Sequence, residues 1–190
     1  MNKKKGRAKS GSGPDPEHDA YLAGLKGIQS SLVDVDIIET EHRVYVLAAE
    51  DGGRLTAYAL WQDSPDSKPN IVSKDFKFDG GVKITSASFS QVKSEQTLSI
   101  AEERSAPALF FVAASCFDHV EVKVLNMIFA NGKFEFKPVQ NTLKNCHIAP
   151  VGKIRLSKKF PRLLVTCGFE KDCYLKLWNV MAKQEEGKPA

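Results

Sequence analysis

No run in this 190-residue chain approaches 18 consecutive apolar residues, so none has the length of a membrane-spanning helix. The first ten residues, MNKKKGRAKS, are basic but lead into no apolar core, so no secretory signal is expected. Cysteine is scarce: Cys116, Cys146, Cys167 and Cys173 are too few and too unevenly spaced for a disulfide framework, and reduced thiols inside a cell are expected. The sequence has no G-x-S-x-G elbow, phosphate-binding loop or dinucleotide glycine pattern. Its four histidines, His18, His42, His119 and His147, are scattered. No nucleophile, base and orienting group converge by spacing, and no enzymatic activity is expected. What is present is ordinary for a globular protein: 42% hydrophobic and 26% charged residues.

The net charge of +4 is unevenly placed. Lys3, Lys4, Lys5, Arg7 and Lys9 lie within the first ten residues, with no acid among them; taking these five from 27 leaves 22 basic against 23 acidic residues. The basic character therefore belongs to the tail and not to the folded body. A block such as KKKGRAK suits nuclear import or phosphate contact, and equally suits a solvated terminus. Residues 1–15, continuing into Gly, Ser, Pro and acid, are expected to be disordered. A helical lead-in is predicted over 16–30. Asp15 serves as its cap, Pro16 stands at its first position, and Tyr21, Leu25, Ile28 and Leu32 fall at helical spacing. Residues 181–190 form a charged tail.

Between these ends the signal is β. Eleven strands are predicted: Leu32–Ile38, Val44–Ala49, Leu55–Trp61, Ile71–Phe78, Val82–Phe89, Leu109–Ser115, Val120–Met127, Phe134–Val139, Ile148–Leu156, Leu163–Thr166 and Tyr174–Val180. Turn residues separate them, and a polar insertion occupies 91–107. No helical crossovers lie between strands, which excludes a parallel α/β fold. LVDVDII alternates apolar with acidic residues, whereas VYVLAA and LFFVAAS are solid apolar runs suited to strands covered on both faces.

Three segments superpose: 44–60, 109–127 and 163–180. Each is an apolar strand ending in small residues, a tight turn carrying Asp51, Asp118 or Asp172, and an alternating strand closing on Tyr58, Leu125 or Trp178. With flanking inner and outer strands each makes one four-stranded propeller blade, over about 31–78, 82–139 and 147–180. A sandwich or another barrel is the competing all-β architecture.

The third segment resembles the WD40 family. Asp172 stands six residues before Trp178, and LKLWNV parallels the family's usual ending, with Asn179 where Asp is common. The resemblance places His147, Thr166, Asp172 and Trp178 in that family's hydrogen-bonded structural tetrad. The first two segments depart from the pattern, with one more residue after the Asp and no Trp. The resemblance therefore covers roughly residues 31–180 but is specific over 147–180. It implies a partial propeller of about three blades, where closed rings use four to eight. The chain is then a fragment or short form of a larger propeller, or closes against another chain, or hides a further blade in 16–43 and 91–107.

Two other readings come from single features. Cys146, His147, Cys167 and Cys173 are the one candidate zinc cluster, but lack the C-x₂-C spacing of structural sites. Phe76, Phe78, Phe134 and Phe136 interleave with Lys74, Lys77, Lys133 and Lys137, a pattern that fits base stacking or, more simply, outer strands with apolar-in and charged-out faces. The expected function is a non-catalytic protein-interaction scaffold without cofactor or metal, in nucleus or cytoplasm, partnered by other proteins. The alternative is an RNA- or chromatin-associated module tethered by the basic tail.

Overall fold

A computed structural model describes residues 31–92, 106–117, 120–169, 172 and 174–181. The basic tail, the lead-in over 16–30, most of the polar insertion, Asp118, His119, Cys173 and residues 182–190 lie outside the described residues.

The fold is all-β, in three blade-like antiparallel sheets whose strands follow chain order. The first holds β1 (Leu32–Glu39), β2 (Val44–Glu50), β3 (Arg54–Trp61) and β4 (Asn70–Lys77). The second holds β5 (Ile84–Val92), β6 (Ala108–Cys116), β7 (Glu121–Ala130) and β8 (Lys133–Leu143). The third holds β9 (Val151–Leu156), β10 (Leu163–Gly168) and β11 (Leu175–Asn179). Each sheet is an open meander, and the three stand in series, so this is neither a two-sheet sandwich nor a closed barrel.

Several boundaries differ from expectation. β5 continues through Gln91 and Val92, which the sequence reading gave to the insertion. β8 runs on to Leu143, with Pro138 admitted because β8 is an edge strand and its register shifts there. β9 begins only at Val151, leaving 147–150 as loop, because Pro150 has no N–H to give a ladder. Asn131 and Gly132, at φ of 51° and 70°, make the tight turn between β7 and β8 that an Asn-Gly pair favours. Gly53, at φ of 80°, tolerates no side chain, since a Cβ there would collide with the Val82 carbonyl.

Two cores lie between the sheets. The first joins Tyr45, Leu47, Leu55 and Ala57 to Phe89, Phe110, Val112 and Met127 of the second sheet. Its aromatic edges meet closely, Tyr45 and Phe110 with ring centres 4.8 Å apart at 63°. The second core joins Phe111, Ala113, Val122 and Val124 to Ile154, Leu156 and Leu164 of the third sheet. Alternate residues of β6 therefore serve opposite cores, which is why LFFVAAS has no polar break. β2 has the same apolar signature, yet of its apolar residues only Tyr45, Leu47 and Ala49 are buried; Val44, Val46 and Ala48 face away and are partly exposed. Each outer strand docks by aromatics, Phe76 of β4 lying 5.3 Å from Phe136 of β8.

Candidate functional site

Three local constellations organise the described residues. In the first, His147, Thr166, Asp172 and Trp178 meet on the third sheet. The Trp178 indole Nε1–H donates to Thr166 Oγ1 at 2.8 Å, and Thr166 Oγ1 lies 2.8 Å from His147 Nε2. The indole can only donate, and with Nδ1 facing the Asp172 carboxylate the neutral ring carries its hydrogen there, which leaves Nε2 to accept from the Thr166 hydroxyl. Nδ1 approaches Asp172 Oδ2 at 3.0 Å, a short but poorly aligned contact. The Ile148 N–H donates to the same carboxylate oxygen at 2.6 Å. Burial opposes ionisation of Asp172, but the Ile148 N–H and His147 outweigh it and lower its pKa. Gly168 makes the cluster sterically feasible: a Cβ there would strike the Asp172 carbonyl and stand 2.9 Å from His147 Nδ1.

The second constellation was not read from the sequence. The three first strands lie side by side, and their side chains bond the backbone of the next. On β1, Asp34 Oδ2 accepts from Ser86 Oγ at 2.5 Å and from the Ala87 N–H at 3.1 Å. Two residues on, Asp36 Oδ2 accepts from Ser88 Oγ at 2.6 Å and the Phe89 N–H at 3.0 Å. On β5, Ser86 Oγ in turn accepts from the Ile154 N–H at 3.3 Å, and Ser88 Oγ from the Leu156 N–H at 3.0 Å. Cations close the set. Arg155 grips Asp34 with both terminal nitrogens, at 2.9 and 3.2 Å, and Lys153 reaches Oδ1 at 2.8 Å. Lys158 Nζ stands 2.7 Å from Asp36 Oδ2. Burial works against charge on Asp34, yet the bonds from Arg155, Lys153 and Ser86 prevail and hold its carboxyl well below the usual carboxylate range. The signal was available: Asp34 and Asp36, then Ser86, Ser88 and Ser90, are polar stripes of period two inside otherwise apolar strands.

The third feature is apolar. On the outer face of the first sheet Val35 and Ile37 are 42% and 50% exposed, and on that of the third sheet Leu175 and Leu177 are 73% and 65% exposed. Each pair forms an exposed apolar patch on its sheet.

The remaining candidate residues are placed as follows. Asp51 sits in the β2–β3 turn, where Oδ1 accepts from the Ser31 N–H at 3.1 Å; no histidine among the described residues joins it. Asp118 lies outside the described residues, as do Lys3, Lys4, Lys5, Arg7 and Lys9. Phe78 and Phe134 are buried, and Phe76 and Phe136 pack against the same core, so these rings are turned inward and do not form a stacking platform. Cys146 is buried beside Leu143, donating to its carbonyl at 3.1 Å, and burial pushes its thiol up to about 11. Among the described residues no three His, Cys, Asp or Glu side chains stand close enough to hold a metal ion. Nor, among them, is any helix long and apolar enough to cross a membrane. An open groove of about 700 Å³ at one end of the first sheet is lined by Thr40, His42, Arg43 and Trp61. The Thr40 hydroxyl there is engaged in its own turn, 2.9 Å from the Arg43 carbonyl.

Comparison with models of known protein families and with curated proteins finds no match to this chain.

Proposed function

We propose that this chain is an incomplete WD40-type propeller that works as a non-catalytic protein-interaction scaffold. Three observations support the reading: sheets of blade order, first strands side by side, and the Trp178–Thr166–His147–Asp172 chain on the third sheet. The observation that carries it is the pair of outer faces, where Val35, Ile37, Leu175 and Leu177 stand in solvent although the polar groups between sheets are tied by hydrogen bonds. A structure that spends its polar side chains on fixing sheet to sheet, and leaves its apolar ones outside, is built as a rigid platform for other polypeptides. In this reading the block Lys3, Lys4, Lys5, Arg7 and Lys9 directs the protein to the nucleus.

The test is affinity purification of the tagged full chain from its own cells, with the recovered polypeptides identified and their stoichiometry measured. At least one different polypeptide is expected in near-equal amount. Recovery of this chain with no other polypeptide, under gentle lysis and after cross-linking alike, overturns the scaffold.

A further inference from the structure

The third sheet has three strands where the other two have four. β4 and β8 close the first and second sheets, and among the described residues no strand stands beside β11 in the corresponding place. Backbone direction fixes what that edge offers. The Ser157 N–H donates to the Leu163 carbonyl at 2.9 Å, so Leu163 turns its backbone groups toward the β9 side and Leu164, next in line, toward β11. At the far end of the β10–β11 pair the Val180 N–H donates to the Arg162 carbonyl, also at 2.9 Å. Counting back by two, Trp178 and Lys176 bond β10, while Leu175, Leu177 and Asn179 point their N–H and C=O groups to the open side.

Such an edge invites a further strand unless something blunts it. The two other outer strands are blunted. β4 exposes Lys74, Asp75 and Lys77, and β8 exposes Lys133, Glu135 and Lys137 and carries Pro138. β11 has one charged residue, Lys176, and its Nζ is turned inward to the Cys146 carbonyl at 2.8 Å. Beside its outward backbone groups stand the exposed side chains of Leu175 and Leu177. The sequence at either end supplies no evident strand for the place, since residues 1–30 and 182–190 have no run of alternating apolar residues.

We propose that β11 is a docking edge, to which an extended segment of a different polypeptide adds as an antiparallel fourth strand. The proposal deepens the scaffold reading, on which it rests, by naming where one partner binds and in what form. Main-chain bonds to Leu175, Leu177 and Asn179 give the affinity, and the side chains set opposite the two leucines give the selectivity. The strands that hold this place in the other sheets show the chemistry required. Phe76 of β4 stands opposite Leu55, and Phe134 and Phe136 of β8 stand opposite Phe129 and Met127. In each case an aromatic ring meets an apolar neighbour, and the residues on either side of that aromatic are charged. The partner segment therefore carries aromatic or β-branched residues at two positions two apart, opposite Leu175 and Leu177, flanked by charged ones.

The probe is a synthetic peptide of this chain's own β8 sequence, KFEFKPV, and the readout is amide hydrogen exchange of the full chain, followed residue by residue. In the purified chain the amides of Leu175, Leu177 and Asn179 are expected to exchange freely, and those of Lys176 and Trp178 slowly. At millimolar peptide the three free amides should slow about ten-fold, with no comparable change along β4. A KSESKPV peptide, which lacks both rings, should leave them unchanged. Leu177→Pro removes the central outward N–H without touching a bond to β10, so the chain should keep its urea midpoint and lose the peptide's effect. If that variant fails to fold, Leu177→Lys takes its place, setting on β11 the guard that Lys74 sets on β4. Three amides already slow in the purified chain overturn the proposal, because this chain's own residues or a second copy then occupy the edge. So does a KFEFKPV peptide that slows none of them, slows β4 equally, or acts as strongly on the variant. A polypeptide recovered from cells equally well by wild type and Leu177→Pro leaves the scaffold standing and overturns the edge; an edge that takes the peptide while no polypeptide is recovered does the reverse.

Discussion

Replacing Thr166 by Val keeps the shape of a buried side chain and removes the one oxygen that links two rings. Thr166 Oγ1 accepts from Trp178 Nε1 and sits against His147 Nε2, each at 2.8 Å. The substitution leaves both nitrogens without that partner. An unsatisfied buried group costs about 1–3 kcal/mol. His147 is 3% exposed and bears the full loss, whereas Trp178 is only partly buried and water recovers some of its share. The sum is about 2–4 kcal/mol, which for a domain of this size lowers the melting temperature by roughly 5–15 °C. Urea unfolding followed by tryptophan fluorescence reads the effect directly, and the indole N–H resonance of Trp178 should move toward its solvent-exposed position. Thr166→Ser is the control: it keeps both bonds, loses one methyl group, and should cost only about 1 kcal/mol. A Thr166→Val midpoint indistinguishable from that of Thr166→Ser would refute the linked chain.

Three further outcomes follow from the same structure. Gly168→Ala should destabilise the third sheet sharply, because the new Cβ meets the Asp172 carbonyl and the His147 ring; an unchanged urea midpoint would show that the Asp172 turn is not held where it stands. Asp34 and Asp172 both have folded pKa values below that of an ordinary carboxylate, so their contribution is whole above about pH 4 and lost as pH falls through the lowered values. The urea midpoint should therefore hold between pH 7 and about 5 and decline below about 4, less steeply in Asp34→Asn; a flat profile down to pH 3 would contradict it. Cys116 and Cys146 are buried, and Cys146 titrates at about 11, so both should resist a thiol reagent until the protein unfolds. Labelling of either at the rate of an exposed thiol would show that its sheet opens readily.

Period-two alternation and turn chemistry made the all-β architecture legible, since strand formation is written locally in which faces are apolar. The resemblance carried by the Asp172-to-Trp178 spacing likewise singled out His147, Thr166, Asp172 and Trp178, because all four lie within the stretch that builds one sheet. The ladder was different. Asp34 and Arg155 are separated by 121 positions, and only the packing of the sheets brings them together. An acid on an alternating strand looks the same in sequence whether it meets water, as most do, or a guanidinium. Boundaries at Val92 and Leu143 moved for a similar reason, as each depends on what the neighbouring strand offers its backbone.

VYVLAA and LFFVAAS show where the two kinds of information part. The apolar runs alone showed that both are strands with two apolar faces. Whether a second sheet is there to do the shielding was decided by tertiary structure: among the described residues β6 has a sheet on either side, while β2 has one neighbour and turns Val44, Val46 and Ala48 outward. A residue's hydrophobicity is a property of its side chain, but its burial belongs to whatever packs against it.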